Sequence, residues 1–186
     1  MQFKENRILA WCILGICVVG SIFGLGGYSI AREQHRLENI FNQGVDRGET
    51  TRHSMDAYLD RAADCARVMG SEVQLLLNAD NATAQEMIDL AGAISDGNDL
   101  NARYMAYSTL QKDADLLYSA VYGAELSDSQ RKAFKRAYDD FWGSDKYIRS
   151  DPYRAMASKY NSDISGFPAE LVASLWHVDE LSSFGG

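Results

Sequence analysis

The side chains best able to do chemistry in this chain are three histidines, three cysteines and a few paired acids, and their spacing decides what they can hold. A di-metal site in a helical bundle needs inward carboxylates and Glu-x-x-His pairs, and none of His35, His53 or His177 has an acid three residues before it. Glu49 and His53 stand one helical turn apart and would present two ligands on one face, but no second pair of this kind exists. An exposed charge pair is their expected role. Cys12, Cys17 and Cys65 form no CxxC pair, and the first two lie in an apolar run, so neither a zinc site nor a disulfide framework is expected. Cys65 reads as a small buried hydrophobe. Asp113, Asp115, Asp139 and Asp140 do not match a calcium loop and are expected on solvated helix faces. No P-loop, GxGxxG, GxSxG or HExxH occurs, so no catalytic residue, metal or cofactor is assigned and an enzyme is not expected.

Charge narrows the partners. Residues 32–186 carry 16 Lys/Arg against 25 Asp/Glu, within a formal net charge of -8 for all 186 residues. Such a surface repels phosphates, which disfavours nucleic acid. The length suits one domain behind an appendage, divided as 1–31 and 32–186.

The appendage is a membrane segment. Residues 8–30 hold no charge over 23 positions, about 35 Å of helix, enough for a hydrocarbon core of roughly 30 Å. Lys4 and Arg7 flank one end and Arg32 and Arg36 the other, with Trp11 and Tyr28 near the interfaces. A retained single-pass anchor is expected. The other reading is a cleaved signal peptide with Ser29-Ile30-Ala31 at its end. Gly20, Gly24 and Gly27 share one face, so two copies could approach closely as a homodimer in the bilayer. Flanking charges are nearly balanced; the short N-terminal tail before a large acidic domain points to a signal anchor with the domain outside the cytoplasm.

Beyond the membrane a seven-residue period joins Phe41, Gly48, Met55, Ala62, Met69 and Leu76. With no proline before residue 78, this predicts a long helix continuing from the span, with Gly44 and Gly48 as its weak points. Thr83 with Glu86 and Ser127 with Gln130 read as capping boxes opening later helices, and Asp151-Pro152 opens another. Residues 100–122 form a helix between them. The expected class is all-α, an N-terminal transmembrane helix leading into an antiparallel bundle of long helices.

In the last part of the chain Tyr153, Met156, Tyr160, Ile164 and Phe167 recur on one face, with Asn161 on its flank, placed to hydrogen-bond across a helix boundary. Gly166 and Pro168 end that helix. Leu171, Leu175 and Val178 are then expected to face the core, with Phe167 also inside.

This tail resembles the C-terminal signature of the LemA family of bacterial membrane proteins. Tyr160-Asn161 and Phe167-Pro168 keep that family's spacing, and Tyr153 stands at its first tyrosine, with Arg154 in place of asparagine. Leu175-Trp176-His177-Val178 stands where the family reads Leu-Phe-Gly-Phe. The match covers residues 153–184, and the family's Ile-Pro-Asn-Leu motif is replaced by Cys65-Ala66-Arg67-Val68. The resemblance implies an anchored helical bundle in a bacterial membrane without established enzymatic activity, acting as a scaffold or assembly factor on an unknown protein partner. The alternative is a sensory bundle that binds a small ligand and passes a helix shift to the membrane.

Overall fold

A computed structural model describes residues 2–44, 46–47, 50–51, 54–77, 81–97 and 99–182. These are all-helical but for one short hairpin: α1 (Gln2–Gln43), β1 (Asp46–Arg47), β2 (Thr50–Thr51), α2 (Met55–Leu77), α3 (Ala82–Asp96), α4 (Leu100–Gly123), α5 (Asp128–Arg149), α6 (Pro152–Ile164) and α7 (Ala169–Leu175). The chain divides into two compact units, residues 1–39 with 155–183 and residues 40–154 with 184–186.

The long continuous helix expected across residues 31–78 is not there. Helix α1 stops at Gln43 because Gly44 turns left-handed (φ 81°), and its N–H donates to Ile40 O at 2.9 Å. That single bond from the first residue past the helix to the carbonyl four back is a glycine C-cap. The antiparallel pairing of Asp46 with Thr51 and Arg47 with Thr50 follows. Gly48, Glu49 and His53 lie outside the described residues. The chain re-enters helix at Ser54, whose Oγ accepts from Ala57 N at 3.0 Å as an N-cap.

Helix α2 organises the larger unit. Met55, Ala62 and Met69 of the seven-residue period are buried along one side with Leu59, Ala66 and Val73, while Leu76 of the same period is only half-buried. It packs against α3, α4 and α5. Gly70 sets the crossing with α3: a Cβ there would stand 2.7 Å from Ala84 O and 2.8 Å from Ile88 Cγ1. Met87, Ala91, Ile94, Leu110, Leu117, Phe134 and Phe141 complete the core. Arg103 crosses from α4 to α2, its Nη2 at 2.7 Å from Asp56 Oδ1, with its guanidinium 5.8 Å from the Phe41 ring.

The caps differ in one place from the sequence expectation. Asn81 closes the start of α3 by accepting from Ala84 N at 3.2 Å, in place of the Thr83/Glu86 box. The Ser127/Gln130 box at α5 is present, and Asp151 accepts from Tyr153 N at 2.8 Å as Pro152 opens α6.

Because Gly44 holds a conformation in which a Cβ meets a carbonyl, Gly44→Ala should destabilise the chain by about 1–2 kcal/mol. Urea unfolding of the full chain in detergent, followed by circular dichroism, measures it; an unchanged midpoint would show that the cap is not needed to end α1.

Candidate functional site

Among the described residues the polar chemistry gathers in two places. One is the C-terminal corner of the smaller unit. Asn161 Nδ2 donates to Leu181 O at 2.6 Å, and Leu181 N donates back to Asn161 Oδ1 at 2.8 Å. This reciprocal pair pins the final segment to α6. Tyr160, beside it, is buried, and its hydroxyl has no hydrogen-bond partner among the described residues. Burial, then the nearby Glu38 and Glu33 carboxylates, push its pKa up to about 12, so it serves as packing and not as a proton donor near neutrality. The Phe167-Pro168 peptide bond is cis.

Helix α7 ends in a Schellman turn. His177 N donates to Ser174 O at 3.3 Å and Val178 N to Ala173 O at 3.0 Å, with His177 left-handed at φ 50°. Ala173 and Val178, the residues that this turn brings together, are both buried. A histidine in this conformation is strained, since only glycine adopts it without cost.

The face that α7 buries is not the expected one. Val172 and Ala173 are inside, while Phe167 is 84% exposed, Leu171 50% and Leu175 65%. The reason lies on α1: Trp176 Nε1 donates to Phe23 O at 2.8 Å, and its indole fills the space that a Cβ on Gly27 would take. Seating the largest ring on that bare patch rotates Leu171 and Leu175 outward. Of the three glycines assigned to a helix–helix contact, Gly20 and Gly24 stand open, whereas Gly27 is covered by its own chain. On α6, Ala157 is buried alongside Tyr153, Tyr160 and Ile164, and Met156 is only half-buried. Tyr153, in the larger unit, packs edge-on against Phe41 with ring centroids 5.1 Å apart.

The second place has no sequence signal. In the larger unit Asp145 of α5 accepts from Tyr107 Oη at 2.7 Å and Gln111 Nε2 at 2.5 Å, both from α4, and pairs with Arg149 Nε at 2.7 Å. It borders a cleft of about 240 Å³ that Tyr104, Ile148 and Arg154 also line. Burial and the Asp145 carboxylate hold the Tyr107 hydroxyl protonated far into alkali. With donors on both oxygens the carboxylate ties α4 to α5 and has little acceptor capacity left for a metal or ligand. An aspartate that will be buried looks like any helical aspartate until α4 and α5 are brought together.

Three expectations for the acids and cysteines meet the structure here. Asp113 is buried at 7% exposure, not solvated, because it falls on the α4 face that carries Leu110, Ala114 and Leu117. Burial, then the charge of Glu86, raises its pKa. Asp115 accepts from Tyr138, and Asp139 and Asp140 face Lys135 and Arg61. Cys65 is half-buried, and burial followed by the Asp140 charge raises its thiol pKa, against a thiolate role. Cys12 and Cys17 are exposed on α1.

Asn161→Ala removes both bonds to Leu181 and should cost about 1–3 kcal/mol, with limited proteolysis cutting first after Trp176. Cleavage elsewhere first would separate Asn161 from the corner. His177→Gly should instead stabilise by about 1 kcal/mol in thermal unfolding, by relieving the left-handed strain. No family model, curated protein or solved structure matches this chain.

Proposed function

We propose that this chain is a LemA-like, single-pass anchored helical protein of the bacterial membrane, a non-enzymatic scaffold or assembly factor that acts through contacts with a protein partner. The observation that carries the membrane part is α1: its 18-residue apolar window is unburied, and Leu9, Trp11, Ile16, Val18 and Val19 project from it. A helix of this length and composition can cross a bilayer.

The family part draws support from the corner. Asn161 makes the bonds that a Tyr-Asn dipeptide at a helix seam would require, and Phe167-Pro168 forms the turn between α6 and α7. Position 177, where the family reads glycine, has the left-handed backbone that glycine favours. The acidic surface of the bundle then suits a basic protein partner and not nucleic acid. With Gly20 and Gly24 open, a homodimer through α1 remains part of this reading.

A second reading has its own observation. A groove of about 560 Å³ between α2 and α5, with Cys65, Val68, Ala133 and Ala137 in its wall and Asp64, Lys132, Arg136 and Asp140 also lining it, is of a size for a small ligand. This supports a ligand-sensing bundle as the alternative, and a ligand-induced rise in unfolding temperature of the full chain would mark it.

Oxidative cross-linking in native membranes tests the leading reading. Cys17 lies three residues before Gly20 on the same face and is exposed, so a Cys17-linked dimer is expected, and Gly24→Leu should reduce its yield severalfold. Purely monomeric product together with no stoichiometric partner on purification would remove the scaffold reading. Reporters active on one side of the membrane, fused to each terminus, are expected to place the domain outside the cytoplasm.

A further inference from the structure

The exposed side of α7 is apolar, and it is attached to α1 at a defined depth. Trp176 bonds to Phe23 O at 2.8 Å, and Val172 Cγ1 comes within 3.8 Å of the Cβ position at Gly26. Both contacts fall inside the charge-free run 8–30. Phe23 lies nine positions before Arg32, the first charge on that side, which is about 13 Å along a helix. Next to the contact, Ile22 and Leu25 of α1 are exposed like Leu171 and Leu175 of α7.

We infer that α7, with the Phe167 corner, is an interfacial membrane element. It lies at the boundary of headgroups and acyl chains in the leaflet that α1 leaves, with Phe167, Leu171 and Leu175 against lipid. This rests on the reading of α1 as a membrane span. The contacts at Gly26 and Gly27, six and five positions before Arg32 and so about 9 and 8 Å along a helix, match amphipathic helices that sit roughly 5–10 Å into that boundary.

Two further features fit a low-dielectric setting and are not required by water. Lipid offers no partners for backbone groups, so those exposed to it must be satisfied internally. In α7 several are: Glu170 N and Val172 N donate to Gly166 O and Pro168 O at 3.0 and 3.3 Å at the start, and Trp176 N, His177 N and Val178 N return to carbonyls of Val172, Ala173 and Ser174 at the end. The indole N–H, the polar handle of the most intrusive side chain, is also satisfied. The polar residues Glu170 and Ser174 stand one turn apart on a different side of α7 from Leu171 and Leu175, leaving a stripe for water beside the stripe for lipid.

The test uses the full chain in phosphatidylcholine vesicles, with the native cysteines replaced and one spin label at a time introduced by Ile16→Cys, Leu171→Cys, Ser174→Cys or Leu175→Cys. All four positions are exposed, so the fold should tolerate the labels. Power saturation compares access of oxygen, which concentrates in lipid, with that of a water-soluble nickel complex. At 16, 171 and 175 oxygen access should exceed nickel access severalfold, and at 174 the order should reverse. Labels at 171 and 175 that behave like the one at 174, while 16 reads as lipid, overturn the inference alone. Labels at 171 and 175 shielded from both reagents overturn it in favour of a protein covering the face, such as a second copy. A label at 16 that reads as water overturns the span and this inference with it.

Discussion

The larger unit depends on one constraint: α2 must bury side chains against three neighbours at once. Alanine, glycine and methionine along its inner side make that feasible, since Ala62, Ala66 and Gly70 admit close helices where Leu59, Met69 and Val73 fill the spaces between them. At Gly70 the α3 backbone comes nearer than a side chain would allow. Each fully buried large apolar side chain contributes on the order of 1.5–3 kcal/mol, so this stripe outweighs the surface ion pairs, which contribute at most about 1 kcal/mol apiece. Arg103 and Asp145 sit at the margins of that core. Each is buried only with carboxylate or donor partners from a neighbouring helix, because an unpartnered charge there would undo much of what apolar burial supplies.

The smaller unit is held by different means. Trp176 seats on Gly27 and Val172 on Gly26, with Leu37, Ala157, Tyr160 and Ile164 buried, and Asn161 clamps one backbone amide and carbonyl. A seven-residue helix cannot hold itself together in isolation. Here the capping turn at His177, the bond to Phe23 and the Asn161 clamp together hold it. Those same contacts turn an apolar stripe outward beside a helix that is itself apolar and exposed. In water such a stripe would be a liability; beside a bilayer it becomes a second point of attachment that limits how the membrane-proximal part can tilt or rotate.

Much of this fold is legible in the chain. The charge-free run, the heptad stripe that becomes the α2 core, the Ser127 box and the Asp151-Pro152 start are local patterns whose physical meaning does not depend on distant residues. The seven-residue period nevertheless misled at one point. Phe41 and Met55 are in phase by fourteen positions, yet a hairpin lies between them, because the left-handed preference of Gly44 acts on one bond while periodicity averages over many.

What tertiary structure alone decided is which side of a helix faces inward and which polar groups find each other. The apolar side of α7 includes Leu171, Val172, Leu175 and Trp176, and composition cannot rank them. The buried side falls to Val172, with the Trp176 indole, still 42% exposed, seated over Gly27, which lies 149 residues before it and leaves room for the ring. In the same way Asp113 and Asp145 are indistinguishable from solvated aspartates until neighbouring helices close over them. Sequence by itself determined the helical class, the starts of α5 and α6 and the membrane-length apolar run, since these follow from interactions within a few turns. The rotation of α7, the burial of two aspartates and the pairing of Asn161 with Leu181 depend on contacts between residues far apart in the chain, and only the folded chain brings those residues within reach.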